Sequence, residues 1–134
     1  MSLLEVRDLQ IEYASAKGPF KAVDGVSFTI ERGEMFGLAG ESGCGKSTTA
    51  YGIARLLRGA ARIVGGSVRL DGVELTELSD AQFNEYRWAR ISIVLQSAMN
   101  NLNPVMKIKE QLIDAIVAHR RGVSRAEALR RAGE

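Results

Sequence analysis

The segment GESGCGKS, residues 40–47, constrains the fold of this chain more than any other part of the sequence. It matches the pattern G-x-x-x-x-G-K-[ST] at each defining position: Gly40, Gly45, Lys46 and Ser47. The apolar stretch MFGLAG, residues 35–40, precedes the segment, and the helix-forming stretch KSTTAYGIARLLR follows its glycines. The order of buried strand, glycine-rich loop and helix predicts an α/β fold whose loop closes around an anion.

A loop of this composition suits a polyphosphate. Glycines let the backbone fold so that the amides of residues 43–47 point inward, and the N-terminus of the following helix adds a partial positive charge. We expect Lys46 to neutralise the β and γ phosphates of a nucleotide, Ser47 to ligate Mg²⁺, and Thr48 to reach the α phosphate. The predicted nucleotide-binding residues of the loop are Gly40, Glu41, Ser42, Gly43, Cys44, Gly45, Lys46, Ser47 and Thr48.

Net charge and cysteine content indicate which binding partners and which cellular compartment to expect. Eighteen basic and sixteen acidic side chains leave a net charge of +2, so no overall field favours nucleic acid. Cys44 is the only cysteine, and the absence of an internal disulfide fits the cytoplasm. No uncharged apolar run approaches the roughly 18 residues that a membrane-spanning helix needs, so we expect other chains to supply any membrane contact.

Hydrophobic periodicity predicts the remaining elements. Alternation predicts an antiparallel sheet from residues 3–13, residues 26–30, and two short strands about the turn at Asp71 and Gly72. Apolar runs predict buried strands at 35–40 and 91–96, the second ending on Gln96. Helices are predicted at residues 46–58, at 80–89, at 107–119 and after Ser124, where Ser124 and Glu127 form a capping box. The first of these helices has Ala50, Ile53, Ala54 and Leu57 on one face. The helix at 107–119 has Ile108, Leu112, Ala115, Ile116 and His119 near one face.

Two segments resemble the ATPase subunits of ATP-binding-cassette (ABC) transporters. The opening VRDLQIEY…AVDGVSFTIERGEMFGLAGESGCGKSTT resembles their start, where an aromatic residue at the end of the first strand stacks on adenine, and Tyr13 matches that position. The segment ISIVLQSAMNNLNPVMKIKEQL is similar to their glutamine loop, most of all in oligopeptide and dipeptide importers, and Gln96 takes the place of the glutamine. Without the resemblance, Tyr13 is an ordinary strand aromatic and Gln96 a polar strand terminus.

The resemblance implies a role for each of these residues. In the family the glutamine touches Mg²⁺ or the attacking water, so Lys46 and Gln96 are the implied catalytic residues, and Ser47 and Gln96 the implied metal ligands. Transmembrane permease subunits dock near the glutamine and the helix that follows, and a second ATPase subunit faces the nucleotide. Ser97 and Ala98 stand where relatives usually have an acidic residue and proline, and Asn101 where serine is common.

The resemblance covers the whole chain but only about the first half of such a subunit. It implies a partial P-loop NTPase-type core at 34–60 and 88–97, an N-terminal antiparallel β subdomain at 1–33 and 64–76, and the start of a C-terminal helical segment at 105–134. It also implies the ATP-binding portion of an importer ATPase that energises solute uptake, of peptides in particular, from the cytoplasmic face of the membrane.

The 134 residues contain no LSGGQ signature, no apolar run ending in Asp-Glu, and no switch histidine in context. Hydrolysis by this chain alone is therefore not expected, since positioning of water and stabilisation of charge dominate phosphoryl transfer. Strands 35–40 and 91–96 are separated in the family's sheet by strands that these residues do not supply. We expect the isolated chain to self-associate, to rearrange, or to exist only beside further polypeptide.

Two other functions are compatible with a phosphate-binding loop. The first is a stand-alone P-loop kinase or GTPase, which would require turnover by the isolated chain, although the sequence has no guanine-reading Asn-Lys-x-Asp. The second is a non-catalytic module that binds a partner through residues 107–134, and the intact Gly45, Lys46 and Ser47 argue against it.

Overall fold

The computed structural model describes residues 2–95, 102–120 and 122–133. Its contacts divide the chain into two compact units, Met1–Ser79 and Asp80–Glu134. The elements are, in chain order, β1 (Ser2–Tyr13), β2 (Phe20–Glu31), α1 (Lys46–Ile53), β3 (Ala61–Leu70), β4 (Val73–Glu74), α2 (Asp80–Tyr86), α3 (Ile108–His119) and α4 (Arg125–Ala132). No described helix has the length and apolar character needed to cross a lipid bilayer.

The first unit is built on an antiparallel sheet with strand order β2-β1-β3-β4. Strand β1 pairs with both β2 and β3, and its residues Val6, Leu9 and Ile11 are buried. The register shifts between Val6 and Leu9, where Asp8 has a φ of 46°, so strict alternation is interrupted there. Positive φ angles at Asp71 and Gly72 join β3 to β4, as a two-residue hairpin turn requires. The predicted antiparallel sheet and its Asp71–Gly72 turn are therefore confirmed.

Two glycines, one in α1 and one just before it, allow this helix to lie close to the sheet. A Cβ added at Gly52 would lie 2.5 Å from Cδ1 of Ile11 in β1, and one added at Gly45 would lie 2.4 Å from the carbonyl oxygen of Ala22 in β2. Between them, the buried Thr49 donates its hydroxyl to the Gly45 carbonyl oxygen at 2.9 Å. The backbone of α1 approaches the strands closely because these contact positions carry no side chain.

The predicted extent of α1 was wrong, and its predicted face was partly wrong. The helix ends at Ile53 rather than near residue 58, and Arg55 follows with a φ of 51°. Thr49 and Gly52 are its buried residues and the predicted Ala54, just after the helix, is also buried, whereas Ala50 is exposed. Apolar periodicity missed this face because close packing selects small residues there, which hydrophobicity does not mark.

The two predicted buried strands are not strands in the described residues. Residues 34–40 form no ladder, and Ile91 makes only an isolated bridge to Arg87 before residues 92–95 continue without regular structure. Met35 is 93% exposed and Val94 is 94% exposed, so neither is in a core. A strand forms only when a neighbour satisfies its backbone groups, and no described strand lies alongside either segment.

These unpaired apolar segments predict self-association. We expect sedimentation velocity of the purified chain to show species larger than a monomer, because Met35 and Val94 expose apolar surface beside unpaired backbone. The double variant Met35→Glu, Val94→Glu should shift the distribution toward monomer. Val64→Glu, in the paired strand β3, is the matched control and should leave the distribution unchanged. A single monomer peak with a cooperative melt for the original chain would contradict this expectation.

The second unit contains helices α2, α3 and α4, with Phe83, Ile113 and Ala128 buried. The Ser124 hydroxyl accepts the amide hydrogen of Glu127 at 3.2 Å, which confirms the predicted cap of α4. Hydrogen bonds from Arg130 and Arg131 lower the pKa of Glu127 to about 2.

The predicted packing face of α3 was partly wrong. Ile108 and Leu112 are exposed, and the buried position is Ile113. Ala115, Ile116 and His119 are half-buried. The face of α3 that packs is therefore rotated toward Ile113 from the one that the apolar spacing predicted.

Candidate functional site

A cavity of about 450 Å³ lies between residues 40–47, the predicted phosphate loop, and the ends of strands β1 and β2. Its volume falls in the range of small-molecule sites. The lining residues are Tyr13, Phe20, Ala22, Ser42, Gly43, Gly45, Lys46, Ser47 and Thr48. The lining thus combines backbone and hydroxyl groups from the loop with two aromatic residues and an alanine from the sheet.

The loop presents free amides to this cavity. Gly43 and Gly45 adopt φ angles of 80° and 93°, which turn the chain into the start of α1 at Lys46. The Cys44 amide donates to the Glu41 carbonyl oxygen at 3.3 Å. In the described part of the chain, no hydrogen bond is made by the amides of Gly43, Gly45, Lys46 and Ser47. Unbonded amides at a helix N-terminus form an anion-binding site.

The side chain of Lys46 forms hydrogen bonds with the backbone of the loop that precedes it. Its ammonium group donates to the carbonyl oxygens of Gly40 and Glu41 and lies 3.4 Å from the Cys44 sulfur. Anionic phosphate oxygens are stronger acceptors than neutral carbonyls, so a bound polyphosphate can compete for this ammonium. A Cβ at Gly40 would lie 2.6 Å from the Cys44 sulfur, which explains why glycine suits that position.

The structure brings most of the predicted binding residues to one place. Ser47 is exposed and Thr48 half-buried, and both line the cavity. Tyr13, at the last position of β1, lines the cavity as well. Gly40, Glu41 and Cys44 are not among the lining residues but contact Lys46. Gln96 lies outside the described residues, so its predicted roles in catalysis and metal binding stay predictions.

Sequence reasoning missed two lining residues, Phe20 and Ala22. Both follow the Gly18-Pro19 loop at the start of β2, and the register of β1 with β2 places Phe20 opposite Tyr13. The hairpin was predicted, but its register depends on the length of the connecting loop, which the pattern did not define.

The described residues contain no group of three or more histidine, cysteine, aspartate or glutamate side chains arranged to hold a metal ion. Of the two predicted metal ligands, Ser47 and Gln96, Ser47 is among the described residues and lines the cavity.

A sequence model of the ABC transporter family matches residues 23–134. The chain is 46% identical over 133 residues to the probable peptide ABC transporter ATP-binding protein y4tR of Sinorhizobium fredii, covering 98% of this chain and 39% of the relative. It is 42% identical over 126 residues to the oligopeptide transport ATP-binding protein OppD of Salmonella typhimurium, covering 94% and 37%. The chain therefore spans about two-fifths of the length of these relatives.

Solved structures give the same fold. The dimeric post-hydrolysis structure of the ATP-binding cassette MJ0796 bound to ADP and Pi aligns with a TM-score of 0.76 and 24% identity, covering 96% of this chain and 53% of that one. The predicted fold class, a partial P-loop NTPase-type core with an antiparallel β portion and helices after it, is confirmed by this match.

Proposed function

The chain belongs to the ABC transporter family, and from this premise we propose that it binds Mg-ATP at the phosphate loop as part of an ATPase subunit that energises peptide uptake. The observation that supports the site best is the set of unbonded amides of Gly43, Gly45, Lys46 and Ser47 lining one cavity with the Lys46 ammonium. Such a site favours a polyphosphate, since both the helix N-terminus and the ammonium attract negative charge.

The nucleotide is proposed to lie along the length of the cavity. Its β and γ phosphates take the place of the Gly40 and Glu41 carbonyls as acceptors for Lys46, and its α phosphate lies near Thr48. Tyr13, which lines the same cavity from the end of β1, stacks on the base. The donor set fits Mg²⁺, with Ser47 offering a hydroxyl ligand, and the ion when bound would neutralise phosphate charge.

Peptide as the transported solute is proposed from the relatives, whose names specify peptide and oligopeptide transport. Permease subunits in the membrane and a second ATPase subunit are the proposed partners, with the region near Gln96 and the following helix as the permease contact. The proposed location is the cytoplasmic face of the membrane. ATP hydrolysis is proposed for a subunit of the relatives' full length, because the 134 residues hold neither the signature sequence nor the general base.

Titration of the purified protein with nucleotides tests the proposed site. We expect Mg-ATP to bind about a hundredfold more tightly than Mg-AMP, because only the triphosphate reaches the Lys46 ammonium. Tyr13→Ala should lower the affinity for Mg-ATP by about three- to tenfold through loss of stacking, and Tyr13→Phe should retain it. Equal affinities for ATP and AMP, or for the original chain and Tyr13→Ala, would exclude the proposed placement.

The two other functions are not favoured, because the family match covers most of the chain. A stand-alone kinase or GTPase predicts steady-state phosphate release or transfer by the isolated chain. A non-catalytic module predicts capture of a partner without any nucleotide binding. A phosphate-release assay combined with the titration separates the three.

A further inference from the structure

We propose that Phe20 is a second aromatic contact for the nucleotide base, so that the base stacks across the rings of both Tyr13 and Phe20. This role depends on the proposed function, because Phe20 belongs to the same cavity as the phosphate loop. It adds a base-binding residue that motif and spacing did not indicate.

Strand register makes Tyr13 and Phe20 neighbours across the sheet. Tyr13 is the last residue of β1 and Phe20 the first of β2, and the two are cross-strand partners in the antiparallel ladder. Partners of this kind extend to the same face of the sheet with Cβ atoms about 5 Å apart. Both side chains line the cavity together with Ser47 and Thr48, so the surface they form continues into the phosphate loop.

The backbone that carries the rings is held on both sides. Tyr13 also pairs with Ala61 of β3, and the next amide, that of Ala14, donates to the Ala60 carbonyl oxygen at 3.0 Å. The loop that leads to Phe20 is closed by Ser15, whose hydroxyl donates to the Gly18 carbonyl oxygen at 2.6 Å. The backbone positions that carry the two side chains are therefore held before a ligand arrives, which reduces the ordering cost of binding.

The chemistry of this end of the cavity selects a flat, apolar group. Phe20 is 64% exposed and Tyr13 is 37% exposed, so a planar ligand can cover a large part of both rings. Tyr13, Phe20 and Ala22 offer no side-chain polar group except one phenol. A ligand that carries both a planar base and a triphosphate matches this lining of aromatic and phosphate-binding residues, and a bicyclic purine is large enough to contact two neighbouring aromatic side chains.

The test compares ATP with inorganic tripolyphosphate, which carries the charge but has no base. Phe20→Ala should lower the affinity for Mg-ATP by about three- to tenfold and leave the affinity for tripolyphosphate within about twofold. Phe20→Tyr should keep the affinity for Mg-ATP. Val64→Ala is the matched control, since it removes an exposed apolar side chain from β3 of the same sheet outside the cavity, and it should change neither affinity.

Each other outcome has a definite meaning. Unchanged ATP affinity in Phe20→Ala, with ATP binding still dependent on Lys46, overturns the role of Phe20 and leaves the proposed function standing. An equal loss of ATP and tripolyphosphate affinity overturns it as well, because the substitution would then act through the loop rather than the base. If the original protein binds neither ligand, the proposed function itself is wrong.

Discussion

Replacing Lys46 with alanine is expected to lower the affinity for Mg-ATP by about a hundredfold. The ammonium is the side-chain cation that lines the cavity, and its bonds to the Gly40 and Glu41 carbonyls show that it reaches the interior of the loop. Each hydrogen bond to a charged group contributes about 1.5–3 kcal/mol, so loss of contacts to two phosphates accounts for an effect of this size.

The measurement is isothermal titration with Mg-ATP and with tripolyphosphate, and both affinities should fall together because Lys46 contacts phosphate and not base. Lys109→Ala, which removes an exposed lysine of α3, is the matched control and should bind as the original chain does. Thermal melts of both variants check that the fold is retained. Unchanged ATP binding in Lys46→Ala would exclude the phosphate loop as the nucleotide site.

Gly45→Ala is expected to destabilise the first unit by about 3 kcal/mol and to abolish tight nucleotide binding. The new Cβ would lie 2.4 Å from the Ala22 carbonyl oxygen, and the residue would have to hold a φ of 93°. The contact is with backbone of β2, so no side chain can rotate away to relieve it. The loop or the start of α1 must then move, and the amides of Lys46 and Ser47 with it.

The variant Gly43→Ala separates the effect of backbone strain from the effect of the Cβ contact. Gly43 has a similar φ of 80°, but an added Cβ would meet no atom within 4 Å. We expect Gly43→Ala to lower the free energy of unfolding only through backbone strain, by about 1–2 kcal/mol. Its melting temperature should therefore lie between those of the original chain and of Gly45→Ala. Thermal unfolding followed by circular dichroism gives the comparison, and equal melting temperatures for the two variants would show that the contact with Ala22 has no effect.

The phosphate loop could be predicted from sequence because its chemistry is local. Glycines at positions 43 and 45 permit the positive φ angles, and Lys46 follows at the start of a helix, so eight consecutive residues define the conformation of the loop proposed to bind phosphate. The hairpin turn at Asp71 and Gly72 and the cap at Ser124 were predictable for the same reason, since each depends on neighbours within a few residues.

Elements that depend on distant partners could not be predicted in this way. Apolar character identified 35–40 and 91–96 as strand-like, but a strand also needs a neighbour, and the described residues provide none. Likewise, the packing of α1 through Gly52 onto Ile11 is a contact between residues 41 positions apart in the chain, which no local pattern reveals.

Residue types at short or regular spacing were enough to predict the turn-rich loop at residues 40–47, the antiparallel sheet and the family. The folded structure was needed to show that Phe20 pairs with Tyr13, that Gly45 packs against Ala22, and that residues 34–40 and 92–95 have no described strand beside them. The physical reason is that register, close packing and strand pairing depend on which backbone lies opposite, and that is settled by the folded chain as a whole.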